Sequence, residues 1–272
     1  MKLFETIKEL DFRKQHFAFL EIEEADNVLS ITLDRANKKN ALHPQMVNEI
    51  AYAFQYAHYN KKVWMIVLQA KGNVFCAGAD LKAMLGMVEP NDSTIPQAKT
   101  EILIAELFNK VHKPTIAKVT GDVYAGGFFF LAGSNIVVAQ NDVKFGLPEV
   151  KRGLFPFQVM AALMRVMPKR KVLDWCIRGY NLSVKDAEQF GLVTKVVAAN
   201  EMEEAVENIV KELKQNSPTA ISNGLKAYDY LQPSQETHQY LLEMLMQTAQ
   251  SKDGQEGLTA FREKRKAVWL GE

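Results

Sequence analysis

Residues 121–156, GDVYAGGFFFLAGSNIVVAQNDVKFGLPEVKRGLFP, limit the possible folds of this chain more than any other stretch. A glycine pair, Gly126 and Gly127, opens an apolar helical run; an apolar strand follows at 136–139, and a turn then ends in Pro148 and Glu149. Glycine at a helix start lets a ligand approach the backbone, and the N–H groups there are unpaired and carry the positive end of the helix dipole. An oxygen that becomes negative is stabilised in such a place. A carboxylate reached through an apolar turn has its charged form disfavoured by desolvation, which raises its pKa towards the range useful for moving protons. The stretch therefore predicts a backbone anion site facing one acid/base, Glu149.

The rest of the chain predicts a frame for it. Two β-patterned runs between residues 17 and 34 flank the turn Ala25-Asp26-Asn27, which predicts a hairpin. Pro44 opens a helix in which Met46, Ile50, Ala53, Phe54 and Ala57 keep helical spacing. The run 63–70 is almost continuously apolar and predicts a strand buried on both faces. A small-residue turn, Ala77 to Ala79, leads to a helical patch and then to a polar, proline-containing loop at 89–97, in a position that sets specificity. A helix over 100–112 and a strand after Pro114 return the chain to the glycine pair, so a glycine-containing turn after a strand occurs twice. Downstream, the pattern predicts an apolar helix at 157–167 and a short helix from Ser183 with Asp186. A strand at 192–198, a helix capped by Asn200 with Glu203, and helices from Ser217 onward complete it.

Composition excludes several classes. Thirty-three basic and thirty-two acidic residues without a long block of one sign give no electrostatic case for nucleic acid. The most apolar window, 123–139, contains Ser134 and Asn135 and is shorter than the roughly 20 residues of a membrane span. Five histidines without an HxxxH pair, and two cysteines without a CxxC, predict neither a metal site nor a disulfide framework. The absence of a secretory pattern, with so little cysteine, leads to the expectation of a mature, cytoplasmic protein. No GxSxG, P-loop or GxGxxG is present. At 272 residues, one large α/β core over 1–200 with a C-terminal helical region over 201–272 is expected.

Six motifs in order, RANKKNAL, VFCAGADLK, TGDVYAGG, FGLPEVKRGLFP, GLVTKVV and EGLTAFREKRKAVW, resemble the enoyl-CoA hydratase/isomerase family, the crotonases, across nearly the whole chain. The resemblance implies a spiral of ββα units with a C-terminal helical trimerisation region, assembly as trimers or hexamers, and chemistry on acyl-CoA thioesters. No cofactor is expected beyond the CoA of the substrate itself. The resemblance also implies that the N–H groups of Ala79 and Gly126 hold the thioester oxygen as it becomes an enolate. It places Lys38, in the turn around Asn37 to Asn40, with Asp80 and Leu81 in the CoA cradle. Phe261 and Lys264 match positions that reach the nucleotide end of CoA from a neighbouring subunit.

Two departures from the family pattern bear on the reaction. A hydratase of this family uses two glutamates around one water; Glu149 matches the second, while the first falls on Phe129, and no glutamate occurs between Leu107 and Pro148. Where the pattern has glycine after Pro156, the chain has Phe157. Phenylalanine at both places predicts a drier, tighter pocket in which holding a reactive water is costly. Proton transfer by Glu149 alone, shifting a double bond, is the expected reaction. One-glutamate hydration, a decarboxylase-type reaction and non-catalytic acyl-CoA binding remain alternatives.

Overall fold

The computed structural model describes residues 1–4, 12–231 and 235–269; residues 5–11 of the N-terminal segment and the side chain of His238 lie outside the described residues. The chain opens with a hairpin of β1 (Leu20–Ala25) and β2 (Val28–Leu33). Asp26 and Asn27, at φ 48 and 65, both take the left-handed conformation that a two-residue hairpin turn matching the strand twist requires. In β2 the alternate residues Leu29, Ile31 and Leu33 are fully buried. Helix α1 (Pro44–Tyr59) starts where sequence placed it, with proline in its first turn and the His43 Nδ1 accepting the Gln45 N–H at 3.1 Å.

From there the chain repeats one move three times: a strand in a large sheet, a short strand in a small sheet, then a helix. The first pass is β3 (Met65–Ala70), β4 (Val74–Cys76) and α2 (Leu81–Met84), followed by a loop and α3 (Ile104–Val111). The second is β5 (Thr115–Val119), β6 (Asp122–Tyr124) and α4 (Phe128–Gly133). The third is β7 (Ile136–Gln140), β8 (Phe145–Gly146) and α5 (Phe157–Leu163). Then come α6 (Lys169–Arg178), β9 (Asn181–Leu182), α7 (Val184–Gln189) and β10 (Lys195–Val197).

The large sheet runs β1-β2-β3-β5-β7-β10, parallel after the opening hairpin; the small one runs β4-β6-β8-β9. As the apolar run predicted, β3 sits between β2 and β5 with Met65 to Leu68 buried. One face of the large sheet forms the main core with α1, α3 and α4. The other is covered by α8 (Met202–Lys214), whose Met202, Ala205 and Val206 pack on Val67, Ile116 and Val138. The helices α9 (Pro218–Tyr230), α10 (Gln235–Gln250) and α11 (Lys252–Glu263) close the chain.

Two local expectations need correction. The approach to α8 is held by Glu201, whose carboxylate accepts the Ala198 N–H at 3.1 Å, and not by Asn200 with Glu203. Helix α3 begins only at Ile104; residues 101–103 before it are non-helical and line a cavity.

Candidate active site

Strands β4, β6 and β8 are parallel neighbours in the small sheet, so the turns that leave their C-terminal ends are neighbours too. Those turns carry Ala79, Gly126 and Glu149 respectively. The repeat thus brings together three residues spread over 71 positions of sequence (149 − 79 + 1).

The first two turns meet backbone to backbone. Gly78 takes φ +86, and a Cβ built on it would stand 2.8 Å from the Gly126 nitrogen and 2.6 Å from the Ala125 Cβ. Only glycine meets both demands, the left-handed backbone and the close approach. Ala125 is itself left-handed at φ 49, a conformation that costs a non-glycine residue roughly 1–2 kcal/mol and is sustained by its surroundings. The turn at 77–79 is held to the segment before α1 by Leu42 N to Gly78 O at 2.8 Å and Asp80 N to Leu42 O at 3.3 Å, bonds that do not use the Ala79 N–H. The buried Cys76 Sγ accepts the Gly78 N–H at 3.4 Å, and burial pushes that thiol up to about 12, which makes it packing rather than a nucleophile. Gly126 lies in the opening turn of a helical segment, 125–127 running into α4, where N–H groups lack intrahelical acceptors.

Glu149 begins the third turn, a short helical segment over 149–152 closed by left-handed Gly153. Its backbone carbonyl accepts the Leu154 N–H at 3.0 Å, and Gly179 packs against the neighbouring Leu147 carbonyl. The Oε2 atom is buried and has no hydrogen-bond partner. Burial pushes the carboxyl up to about 7, against smaller opposing effects of its own backbone N–H and of Arg152. A carboxyl poised near neutrality can both accept and return a proton.

An inner cavity of about 130 Å³ joins Ala79, Gly126 and Glu149, walled by Phe129, Phe157 and Leu81. A wider outer cavity of about 480 Å³ shares Ala79, Met84, Phe129 and Gln158 with it and continues past Asp80 to residues 101–105. Within Phe128-Phe129-Phe130 the roles divide by helical phase. Phe128 packs on Trp175 and Phe130 on Phe75 and Phe108, all buried, while half-buried Phe129 faces both cavities. Phe157 packs on Phe155 at 5.0 Å between ring centroids. Among the residues lining the inner cavity, Glu149 is the single carboxylate.

The residues expected in the CoA cradle cluster at the outer end. Buried Arg35 donates to Asp80 at 2.8 Å, Glu89 at 2.9 Å and the Ala41 carbonyl, and Lys38 reaches Glu89 at 3.1 Å. Burial pushes the Asp80 carboxyl up, but the hydrogen bond from Arg35, those from the Ala83 and Lys82 N–H groups and the Arg35 charge together outweigh this and hold it below the usual range. Asp80 also caps α2. Asn40 turns out to be a staple, fully buried, accepting the Arg35 N–H and donating to the Lys71 and Val74 carbonyls. Lys264 ends α11, and Phe261 stacks under Arg152 of its own chain, 4.3 Å from guanidinium to ring centroid. Sequence reasoning missed Arg152, Gln158 and Leu245 as lining residues. The first two were detectable as polar residues beside Glu149 and Phe157; Leu245 depends on where α10 docks.

The chain is similar in sequence to known relatives and in fold to solved structures. Human enoyl-CoA hydratase domain-containing protein 3, mitochondrial, is 31% identical over 251 residues, covering 91% of this chain and 82% of that protein. A probable enoyl-CoA hydratase, mitochondrial, of Dictyostelium discoideum is 30% identical, covering 91% and 89%. The crystal structure of carnitinyl-CoA hydratase from Mycobacterium avium superposes with a TM-score of 0.81 at 26% identity, covering 94% of this chain and 99% of that one. These neighbours establish the crotonase-like fold expected from the motifs. The expectation of a cytoplasmic protein is overturned by the mitochondrial designation of the human and Dictyostelium relatives; low cysteine content does not distinguish reducing compartments from one another. The sequence model of the enoyl-CoA hydratase/isomerase family matches residues 23–272, and the chain belongs to that family.

Proposed function

We propose that the protein moves a proton within an unsaturated acyl-CoA thioester, shifting its double bond, with Glu149 as the lone acid/base. The observation that carries this reading is the Glu149 carboxyl, the single carboxylate of a largely apolar inner cavity, with its buried Oε2 unpartnered. The thioester oxygen would rest on the N–H groups of Ala79 and Gly126, donors fixed before charge develops on it. With that oxygen stabilised as an enolate, Glu149 removes a proton from the carbon at one end of the allylic system and returns it at the other. CoA enters as part of the substrate, and the transfer calls on no further cofactor. In this reading Lys38, Asp80 and Leu81 flank the CoA arm, Phe129 and Phe157 keep the reacting carbons dry, and the helices after residue 200 support assembly into trimers or hexamers.

Hydration is the second reading, and two observations favour it. The human and Dictyostelium relatives carry hydratase in their names. Gln158, which lines both cavities, is a polar group able to hold a water beside Glu149. Incubating 2-enoyl- and 3-enoyl-CoA thioesters with the protein in ¹⁸O-labelled water, followed by mass spectrometry, separates the two. Double-bond migration without gain of mass from oxygen supports isomerisation; labelled oxygen in the product replaces it with hydration.

A further inference from the structure

Arg152 lies three residues beyond Glu149 on the same turn and lines the same inner cavity. Its guanidinium covers the Phe261 ring. Stacking occupies the flat face of a guanidinium and leaves its in-plane N–H donors available. Among the described residues no acceptor takes those donors, and Glu149 acts on Arg152 only through the field between them, at a separation beyond an ion pair. Arg35 is the contrasting case of a buried arginine with a structural role, both of its terminal nitrogens being spent on Asp80, Glu89 and a backbone carbonyl. Arg152 has no such role. A cation held in a chamber walled by Leu154, Phe155 and Leu245 carries a desolvation cost that the Phe261 ring and the field of Glu149 offset only in part, and a bound anion would offset more of it.

The geometry points to an anion subsite at Arg152 that takes a carboxylate borne by the acyl chain itself, so that the substrate is a CoA thioester of a short dicarboxylic acid. This rests on the acyl-CoA reading above. The planar fork of the guanidinium matches a carboxylate with two parallel hydrogen bonds. Because the chamber is small, about 130 Å³, the carbon segment between thioester and carboxylate is short. A carboxylate anchored there would also fix which carbon faces Glu149, since the two ends of the acyl group are then both held.

The test is binding of two saturated thioesters that cannot react, butanoyl-CoA and the mono-CoA thioester of pentanedioic acid, measured by titration calorimetry on the full chain. The wild type is expected to prefer the dicarboxylic thioester by about 10- to 100-fold, the range of a charge-assisted hydrogen bond. Arg152→Gln is expected to bring the ratio of the two affinities close to one, and Arg152→Lys to restore part of it. Because the readout is a ratio within one protein, a general loss of binding does not imitate it. A wild-type ratio near one overturns the subsite, as does a ratio that survives in Arg152→Gln. If neither thioester binds, the acyl-CoA reading falls first and the subsite with it.

Discussion

Gly78 and Gly126 lie in different turns of the spiral, yet a Cβ added to Gly78 would stand 2.8 Å from the Gly126 nitrogen. The two turns touch beside the inner cavity that Ala79 and Gly126 line, so the spacing of those two residues depends on the absence of one methyl group at Gly78. Gly78→Ala must therefore both strain a backbone at φ +86 and push the turns apart. We expect a stability loss of roughly 1–3 kcal/mol and a fall in kcat of about 100-fold, the scale of one lost oxyanion donor. Steady-state kinetics beside denaturant melts would check it; kcat retained at full stability would mean the donors do not depend on this contact.

Glu149 gives a pH-dependent prediction whose sign is fixed by burial. Its ordinary value is 4.5, and in the folded chain burial raises it to about 7. As pH rises from 4.5 to 7 the unfolded chain releases this proton first, so the folded state binds more protons and stability falls. The stability is fully present below pH 4.5 and flat again, at its lower level, above about pH 7. The difference is on the order of 3 kcal/mol. Glu149→Gln, which has no charge to bury, should raise the melting temperature by roughly 5–8 °C at pH 8 and leave it nearly unchanged at pH 4.5. The same variant should lose most activity. Equal melting shifts at both pH values would show that the carboxyl is not buried as described.

Much of this site was legible in the sequence because its parts are local. The Asp26-Asn27 turn, the apolar run of β3, the glycine pair and Pro148-Glu149 each carry their own physical signal over a few residues. The isolation of Glu149 was legible from the absence of any glutamate in the preceding forty residues. What escaped depends on tertiary contact. The small sheet is built from strands of two or three residues, too short to show a period, yet it aligns the three turns. Helix α6 begins with Lys169, Arg170 and Lys171, which mask a stripe of buried Val172, Trp175 and Cys176. Arg152 reads as one more surface cation until α11 folds back and sets Phe261 beneath it.

Phe129 stands at the junction of the inner and outer cavities, lining both together with Ala79, Met84 and Gln158. Phe129→Ala should join them and admit water beside Glu149. The expected outcome is an increase in labelled-oxygen incorporation relative to double-bond migration. Stability should fall by about 1–3 kcal/mol, less than for a fully buried phenylalanine because Phe129 is only half-buried. An unchanged product ratio in ¹⁸O water would show that Phe129 does not control access of water.

The C-terminal helix α11 meets the Glu149 turn through two glycines. A Cβ on Gly257 would stand 2.2 Å from the Arg152 carbonyl oxygen, and one on Gly153 would stand 2.3 Å from the Asp253 carbonyl oxygen. Such contacts fix the turn only while both positions lack side chains. Inside an exposed helix, Gly→Ala stabilises by up to about 1 kcal/mol through helix propensity, and Gly224 in α9, with nothing within 4 Å of its Cβ position, is the matched control. Gly224→Ala should therefore raise the melting temperature slightly and leave activity alone. Gly257→Ala carries the same propensity gain but must lift α11 from residues 152–153. It should destabilise the chain, speed proteolysis at the junction of α10 and α11, and depress kcat through displacement of Glu149. Limited proteolysis with kinetics on both variants decides the matter: if Gly257→Ala behaves like Gly224→Ala, the helix does not hold the turn in place.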